Sequence, residues 1–223
     1  MRSVYPAPRT KPAPSLWGVL PALLLLGAAV ILALTVLWRP EPPTEPPEAI
    51  FPLPERYAGN YTNDWGAERV QGRHVGTDVF VPEGTPIYSV TDGTVVRARG
   101  SGEGGWNDLG DYTVMVEAAY DVGPIEEGDL LYYAHLNRPT DLRLGETVEA
   151  GQMIGEAGDT GQGPEGTRGR FEPHLHLGWY DGGLFGPERA ESGAMNPYPL
   201  LRWIERNGAL RNGSRVGQTG EDA

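Results

Sequence analysis

Three regimes of hydrophobic and polar patterning follow one another along the chain. Leu16 to Trp38 carries no charged residue. Wound as a helix at ~1.5 Å per residue it reaches roughly 34 Å, enough to cross a bilayer core. Trp17 and Trp38 bracket it where interfacial anchors stand, and Pro21 falls in the first turns, where it does least harm. Residues 39–56 begin Arg39-Pro40-Glu41-Pro42-Pro43 and stay dense in proline, a composition that favours a polyproline II spacer. From Tyr57 apolar residues alternate in short runs punctuated by Gly and Pro. These runs predict strands at 77–81, 87–90, 94–99, 112–117, 130–135, 152–156 and 174–180, with Asp92-Gly93 as a turn between two of them. A helical period appears at 197–206, where Leu200, Leu201 and Ile204 share a face. The expected fold is all-β: a mostly antiparallel β-sheet core, one N-terminal transmembrane helix and a short C-terminal helix. Its parts are a cytoplasmic tail (1–15), the transmembrane helix (16–38), a Pro-rich linker (39–56), a folded domain (57–206) and a disordered, Gly-rich tail (207–223).

Charge sets the orientation. Arg2, Arg9 and Lys11 precede the apolar segment without an acid, and Arg39 after it is followed by Glu41, Glu45 and Glu48. This bias keeps the N-terminus in the cytoplasm and the folded domain outside. A cleaved signal peptide would have a shorter apolar region and a small-residue cleavage site. Val36-Leu37-Trp38-Arg39-Pro40 is not one, so an uncleaved anchor is expected. From residue 51 onward, 14 Arg and no Lys stand against 27 acidic residues, a balance of −13. That argues against nucleic acid as a partner. There are no cysteines, which excludes disulfides and thiolate metal sites.

The candidate chemistry lies in four histidines and one aspartate. His74 and Asp78 form a His-x-x-x-Asp, His174 and His176 a His-x-His, and His135 follows Leu131-Tyr132-Tyr133-Ala134. Residues two apart on a strand share a face, so His174 and His176 deliver two imidazoles to one side while Leu175 and Leu177 face the core. Gly76 and the following Val79-Phe80-Val81 make the His-x-x-x-Asp a loop running into a strand. Two imidazoles and a carboxylate, His74, Asp78 and His176, suit zinc and leave a fourth position for water. His135 and His174 then stand near the metal but off it, where a general base or an oxyanion stabiliser is needed.

Further segments follow in order: Gly72-Arg73-His74-Val75-Gly76-Thr77-Asp78, Pro82-Glu83-Gly84-Thr85-Pro86, Asp92-Gly93-Thr94-Val95, Tyr133-Ala134-His135-Leu136, Gly145-Glu146-Thr147-Val148, Gly158-Asp159-Thr160-Gly161 and His174-Leu175-His176. Over roughly Tyr57 to Leu201 this series resembles the lysostaphin-type zinc metallopeptidases of family M23, which cut peptidoglycan cross-bridges. The resemblance implies Zn2+ on His74, Asp78 and His176, with His135 and His174 assisting catalysis. It also implies a peptidoglycan stem-peptide or cross-bridge substrate. With the anchor, it predicts a single-pass protein of the bacterial cell membrane whose domain faces the periplasm or cell wall. No His-Glu-x-x-His is present, so a histidine must serve as base, and Tyr133 is a candidate support for the oxyanion. Pro173 and the insertions at 100–111 and 119–129 depart from the commonest family pattern and bear on substrate preference. Three loops, 100–111 with Trp106, 120–128 and 158–172, are expected as groove walls.

Two rival functions remain in view. Membrane-anchored relatives can act as scaffolds or activators of other wall hydrolases, usually after losing zinc or catalytic residues; here none is lost. The motifs at 92–95 and 145–152 also resemble halves of biotinyl and lipoyl carrier domains. A carrier needs a modifiable lysine on a hairpin, and the only lysine, Lys11, precedes the apolar segment. A hydrolase facing the wall needs restraint, which leaves room for a regulatory protein partner.

Overall fold

The alternation seen from Thr77 onward closes into an antiparallel sheet in the computed structural model, which describes residues 48–70, 72–98, 106–107, 109–182 and 193–211. The strands in chain order are β1 (Ile50–Pro54), β2 (Glu68–Arg69), β3 (Gly72–Arg73), β4 (Thr77–Phe80), β5 (Pro86–Tyr88), β6 (Gly93–Arg97), β7 (Trp106–Asn107), β8 (Asp111–Tyr112), β9 (Val114–Ala118), β10 (Leu130–Ala134), β11 (Thr147–Val148), β12 (Met153–Glu156), β13 (His174–Tyr180), β14 (Ala194–Met195) and β15 (Ala209–Arg211); helix α1 (Pro197–Asn207) precedes the last. Every strand expected from the alternation is present, with ends shifted by no more than two residues.

The main sheet has seven strands in the order β11-β6-β9-β10-β13-β14, and β4 also pairs with β13. Its two faces differ because side chains alternate along each strand. Leu175, Leu177 and Trp179 of β13, Leu131 and Tyr133 of β10, Val114 and Val116 of β9, and Val95 of β6 enter the main core. The opposite face carries His174 and His176, Tyr132 and Ala134, and Met115, all turned to one groove. Helix α1 closes the core with Leu200, Leu201 and Ile204, all fully buried. Asn196 caps it by accepting from the Tyr198 amide at 3.0 Å, and Pro197 occupies the first turn.

The domain extends beyond the expected boundaries at both ends. Residues 50–54, expected within the linker, form β1, whose Phe51 and Leu53 are fully buried. The prolines around them conceal this apolar stretch, and edge positions tolerate proline because no ladder donor is lost there. Asn207, expected in a disordered tail, ends α1, and residues 209–211 pair in parallel with β1. The tail 1–15, the helix 16–38, residues 39–47 of the linker and residues 212–223 lie outside the described residues. Among those described, no helix is long and apolar enough to cross a membrane.

Phe51→Ala is expected to destabilise the domain by about 3–5 kcal/mol, through lost burial and the cavity left behind. The urea midpoint measures it. A midpoint matching the parent protein would place β1 outside the cooperative unit.

Candidate metal centre and groove

Strand register builds the centre. β4 and β13 run antiparallel with Asp78 opposite His176 and Phe80 opposite His174, so the odd-numbered residues between them go to the core and these four share the outer face. The loop before β4 brings His74 onto the same point. His176 Nδ1 lies 2.9 Å from Asp78 Oδ1 and 3.0 Å from His74 Nε2, and His74 Nε2 lies 3.2 Å from Asp78 Oδ1. The three expected ligands thus converge through one atom each, an arrangement able to hold a metal ion. Gly76 is required for this approach: a Cβ there would stand 2.3 Å from His176 Cε1 and 2.5 Å from its Nε2.

Two residues that sequence reading passed over complete the centre. The Asp64 carboxylate meets His74 Nδ1 at 3.0 Å, which leaves Nε2 of that ring for the centre. Arg69 on β2 donates to Asp64 Oδ2 at 2.9 Å and to Asp78 Oδ2 at 2.8 Å, so the second oxygen of Asp78 is tied while Oδ1 faces the histidines. Burial opposes a charge on His74, but hydrogen bonds and charge from Asp64 and Asp78 outweigh it and push its pKa up to about 9. Burial likewise opposes ionisation of Asp78, yet the hydrogen bonds of His176 and His74 hold it well below the usual carboxylate range.

His135 and His174 stand beside this centre, their rings 4.7 Å apart. His135 follows β10 with φ 63°, in the left-handed region. Alternation would send it, like Leu131 and Tyr133, into the core; the left-handed turn brings it to the outer face instead. Its Nδ1 donates to the Thr160 carbonyl at 2.7 Å, and His174 Nδ1 donates to the Glu172 carbonyl at 2.8 Å. Each ring therefore presents an unprotonated Nε2 when neutral. Burial, then the neighbouring imidazoles His174 and His176, push His135 well below its ordinary value; burial foremost also lowers His174.

Tyr133 does not join them. The same left-handed residue breaks the parity that put Tyr133 and His135 on one face, and Tyr133 is fully buried with its hydroxyl accepting from the Val90 amide at 2.8 Å. Tyr132 takes the place in the groove instead.

The groove holds about 490 Å³. Of the three expected wall loops, 158–172 supplies Gln162 and Phe171, and Leu109 and Gly110 come from the loop after β7. Arg168 pins the first of these through Glu83 at 2.8 Å, Asp159 at 3.0 Å and Asn137. The 120–128 loop sends Val122 and Ile125 into the core rather than toward the groove. The Trp106 side chain lies outside what is described.

The sequence model described as peptidase family M23 matches residues 72–187. An L-Ala–D-Glu endopeptidase of Bacillus subtilis (strain 168) is 38% identical over 164 residues, which covers 71% of this chain and 44% of that protein. The peptidoglycan DD-endopeptidase ShyA of Vibrio cholerae serotype O1 is 34% identical over 105 residues, covering 46% of this chain and 19% of that protein. A crystal structure from Ruminococcus gnavus ATCC 29149, described as a glycyl-glycine endopeptidase lytM, is similar with a TM-score of 0.57 at 34% identity, covering 75% of this chain and 64% of that one. The chain spans less than half the length of these curated relatives.

Proposed function

The chain belongs to peptidase family M23, and from that premise we propose that it is a zinc-dependent endopeptidase hydrolysing peptidoglycan stem-peptide or cross-bridge bonds outside the cytoplasmic membrane. The observation that carries the reading is the triangle of His74 Nε2, Asp78 Oδ1 and His176 Nδ1, with sides of 2.9, 3.0 and 3.2 Å. Tetrahedral zinc with bonds of about 2.0–2.2 Å calls for donors ~3.3–3.5 Å apart, close to this spacing, and the imidazole and carboxylate set is of the type zinc takes. When bound, zinc polarises the scissile carbonyl and makes a water acidic enough to ionise near pH 7.

The chain's own groups do the rest. Asp64 and Arg69 fix the ring of His74 and the carboxylate of Asp78, as outer partners of a metal site do. His135 and His174, neutral with Nε2 unprotonated, receive the proton of the attacking water and return it to the leaving amine as the C–N bond breaks. The hydroxyl oxygen stays on the new carboxyl group, whose remaining proton passes to the departing amine or to solvent, so atoms and charge balance. On this reading the segment 16–38 anchors the protein in the membrane.

Incubating the zinc-loaded full chain with purified walls of directly cross-linked and glycine-bridged types, and measuring released peptide, tests the proposal. Fragments with new N-termini are expected. Intact peptides from both wall types would refute it.

Asp64→Asn is expected to weaken zinc binding by about 10- to 100-fold, because the neutral amide leaves His74 less firmly oriented. Competition with a chelator reads the change. An affinity equal to the parent's would remove Asp64 from the metal's support.

A further inference from the structure

Both candidate bases are held by one loop. The Thr160 carbonyl accepts from His135 Nδ1 at 2.7 Å, and the Glu172 carbonyl accepts from His174 Nδ1 at 2.8 Å. These carbonyls stand near the two ends of the segment 158–172. The same segment sends one side chain against both imidazoles. The Phe171 ring lies 4.6 Å from the His135 ring at an interplanar angle of 60°, and 5.1 Å from the His174 ring at 63°. The two imidazoles are 4.7 Å apart, so the three rings close a triangle with the phenyl edge-on to each imidazole.

A single hydrogen bond at Nδ1 selects a tautomer but restrains the tilt of the ring weakly, because the Cβ–Cγ torsion of histidine is broad. A phenyl packed on the flank of each imidazole supplies the missing restraint. The loop that carries it is itself stapled. Arg168, three residues before Phe171, donates to Glu83 at 2.8 Å, to Asp159 at 3.0 Å and to the carbonyl and side-chain oxygens of Asn137. Glu83 lies in the turn after β4, and Asn137 two residues past His135. Arg168 therefore ties the loop to the chain leaving β4 and to the chain leaving His135. On either side of it, the Gly166 amide donates to Asp111 at 2.8 Å and the Gly169 amide to Asp159 at 2.9 Å.

Resting on the endopeptidase reading, we propose that Phe171 is a positioning residue for that reaction. It holds His135 and His174 at the tilt from which their Nε2 atoms serve the attacking water and the leaving amine, and Arg168 sets it by stapling the loop. Proton transfer demands a donor and an acceptor in line, and a displacement of about 1 Å can cost roughly 100-fold in rate. Phe171 offers the metal no donor atom, so its effect falls on the rate of the chemical step rather than on zinc.

The test measures kcat and KM of the zinc-loaded full chain on cross-linked muropeptides solubilised from the wall type it cuts. Phe171→Ala is expected to lower kcat about 10- to 100-fold, with KM within about 2-fold of the parent's and zinc retained. Phe171→Tyr, which keeps the ring, should recover most of the rate. Arg168→Ala should cost a smaller factor of about 3 to 10, the scale of exposed ion pairs, and nothing further in the Phe171→Ala background, because both changes release the same ring. Imidazole nitrogen NMR signals, recorded without substrate at one pH, read the positioning directly. His135 and His174 should each show one Nδ1-protonated tautomer in the parent, and broadened or mixed signals in Phe171→Ala. An unchanged kcat, or signals identical to the parent's, would overturn the inference and leave the endopeptidase reading standing. So would a loss confined to KM, the mark of a substrate contact. Should Phe171→Ala fail to fold by circular dichroism, Arg168→Ala decides alone, and parent-like kcat and imidazole signals in it would overturn the inference. Failure of the parent chain to cleave any wall would overturn the endopeptidase reading, and the inference with it.

Discussion

His176→Ala is expected to strip the metal from the protein and reduce peptidoglycan hydrolysis to the background rate. His176 gives the centre one corner of a three-atom triangle and stands opposite Asp78 in the ladder. Two remaining ligands leave zinc a site too open to compete with water and buffer. The same change should spare the fold, because His176 lies on the groove face while Leu175 and Leu177 on either side carry the core packing. Metal content by elemental analysis and release of wall peptides measure the two effects, and circular dichroism checks the fold. A variant that keeps about one zinc per chain would remove His176 from the ligand set.

His135→Ala should give the opposite pairing of results: zinc retained and kcat reduced by about 10²- to 10⁴-fold, the usual contribution of a positioned acid or base. The ring has no part in the triangle of donor atoms, and its Nδ1 is held by the Thr160 carbonyl. Its pH behaviour follows from its surroundings. Burial and the neighbouring His174 and His176 hold its pKa well below 6.5, and a base works only while unprotonated. Any limb of the parent protein's profile that belongs to His135 should therefore lie well below pH 6.5, separate from a limb near pH 7 that a metal-bound water would set. A kcat/KM profile that halves near pH 6.5 and loses that limb in the variant would show His135 titrating as an ordinary exposed imidazole.

The strands, and the meeting of Asp78 and His176 on one face, were legible in the sequence for one reason: both depend on alternation. Leu175 and Leu177 against His174 and His176 announce a two-faced strand, and the same parity assembles the site. Legibility ended where parity breaks. His135 reaches the groove through a left-handed residue, Arg97 through a bulge, and neither leaves a periodic trace. Alternation across that turn offers Tyr133 to the groove, and the structure gives it instead the ordinary packing role that competes with that reading. Asp64 and Arg69 act from the loop and short hairpin ahead of His74, where spacing follows the turn and not a repeat. β1 was hidden by its prolines, since Pro52 and Pro54 resemble the linker before them although both are buried.

The parallel pairing of β1 with β15 fixes how the catalytic unit is mounted. Ile50 lies opposite Ala209 and Pro54 opposite Arg211, so the described chain enters and leaves through adjoining strands, within about 15 Å of each other at ~3.3 Å per residue. Because the two strands are parallel, a segment before β1 and one after β15 leave by opposite ends of the same pair, and neither need pass through the fold.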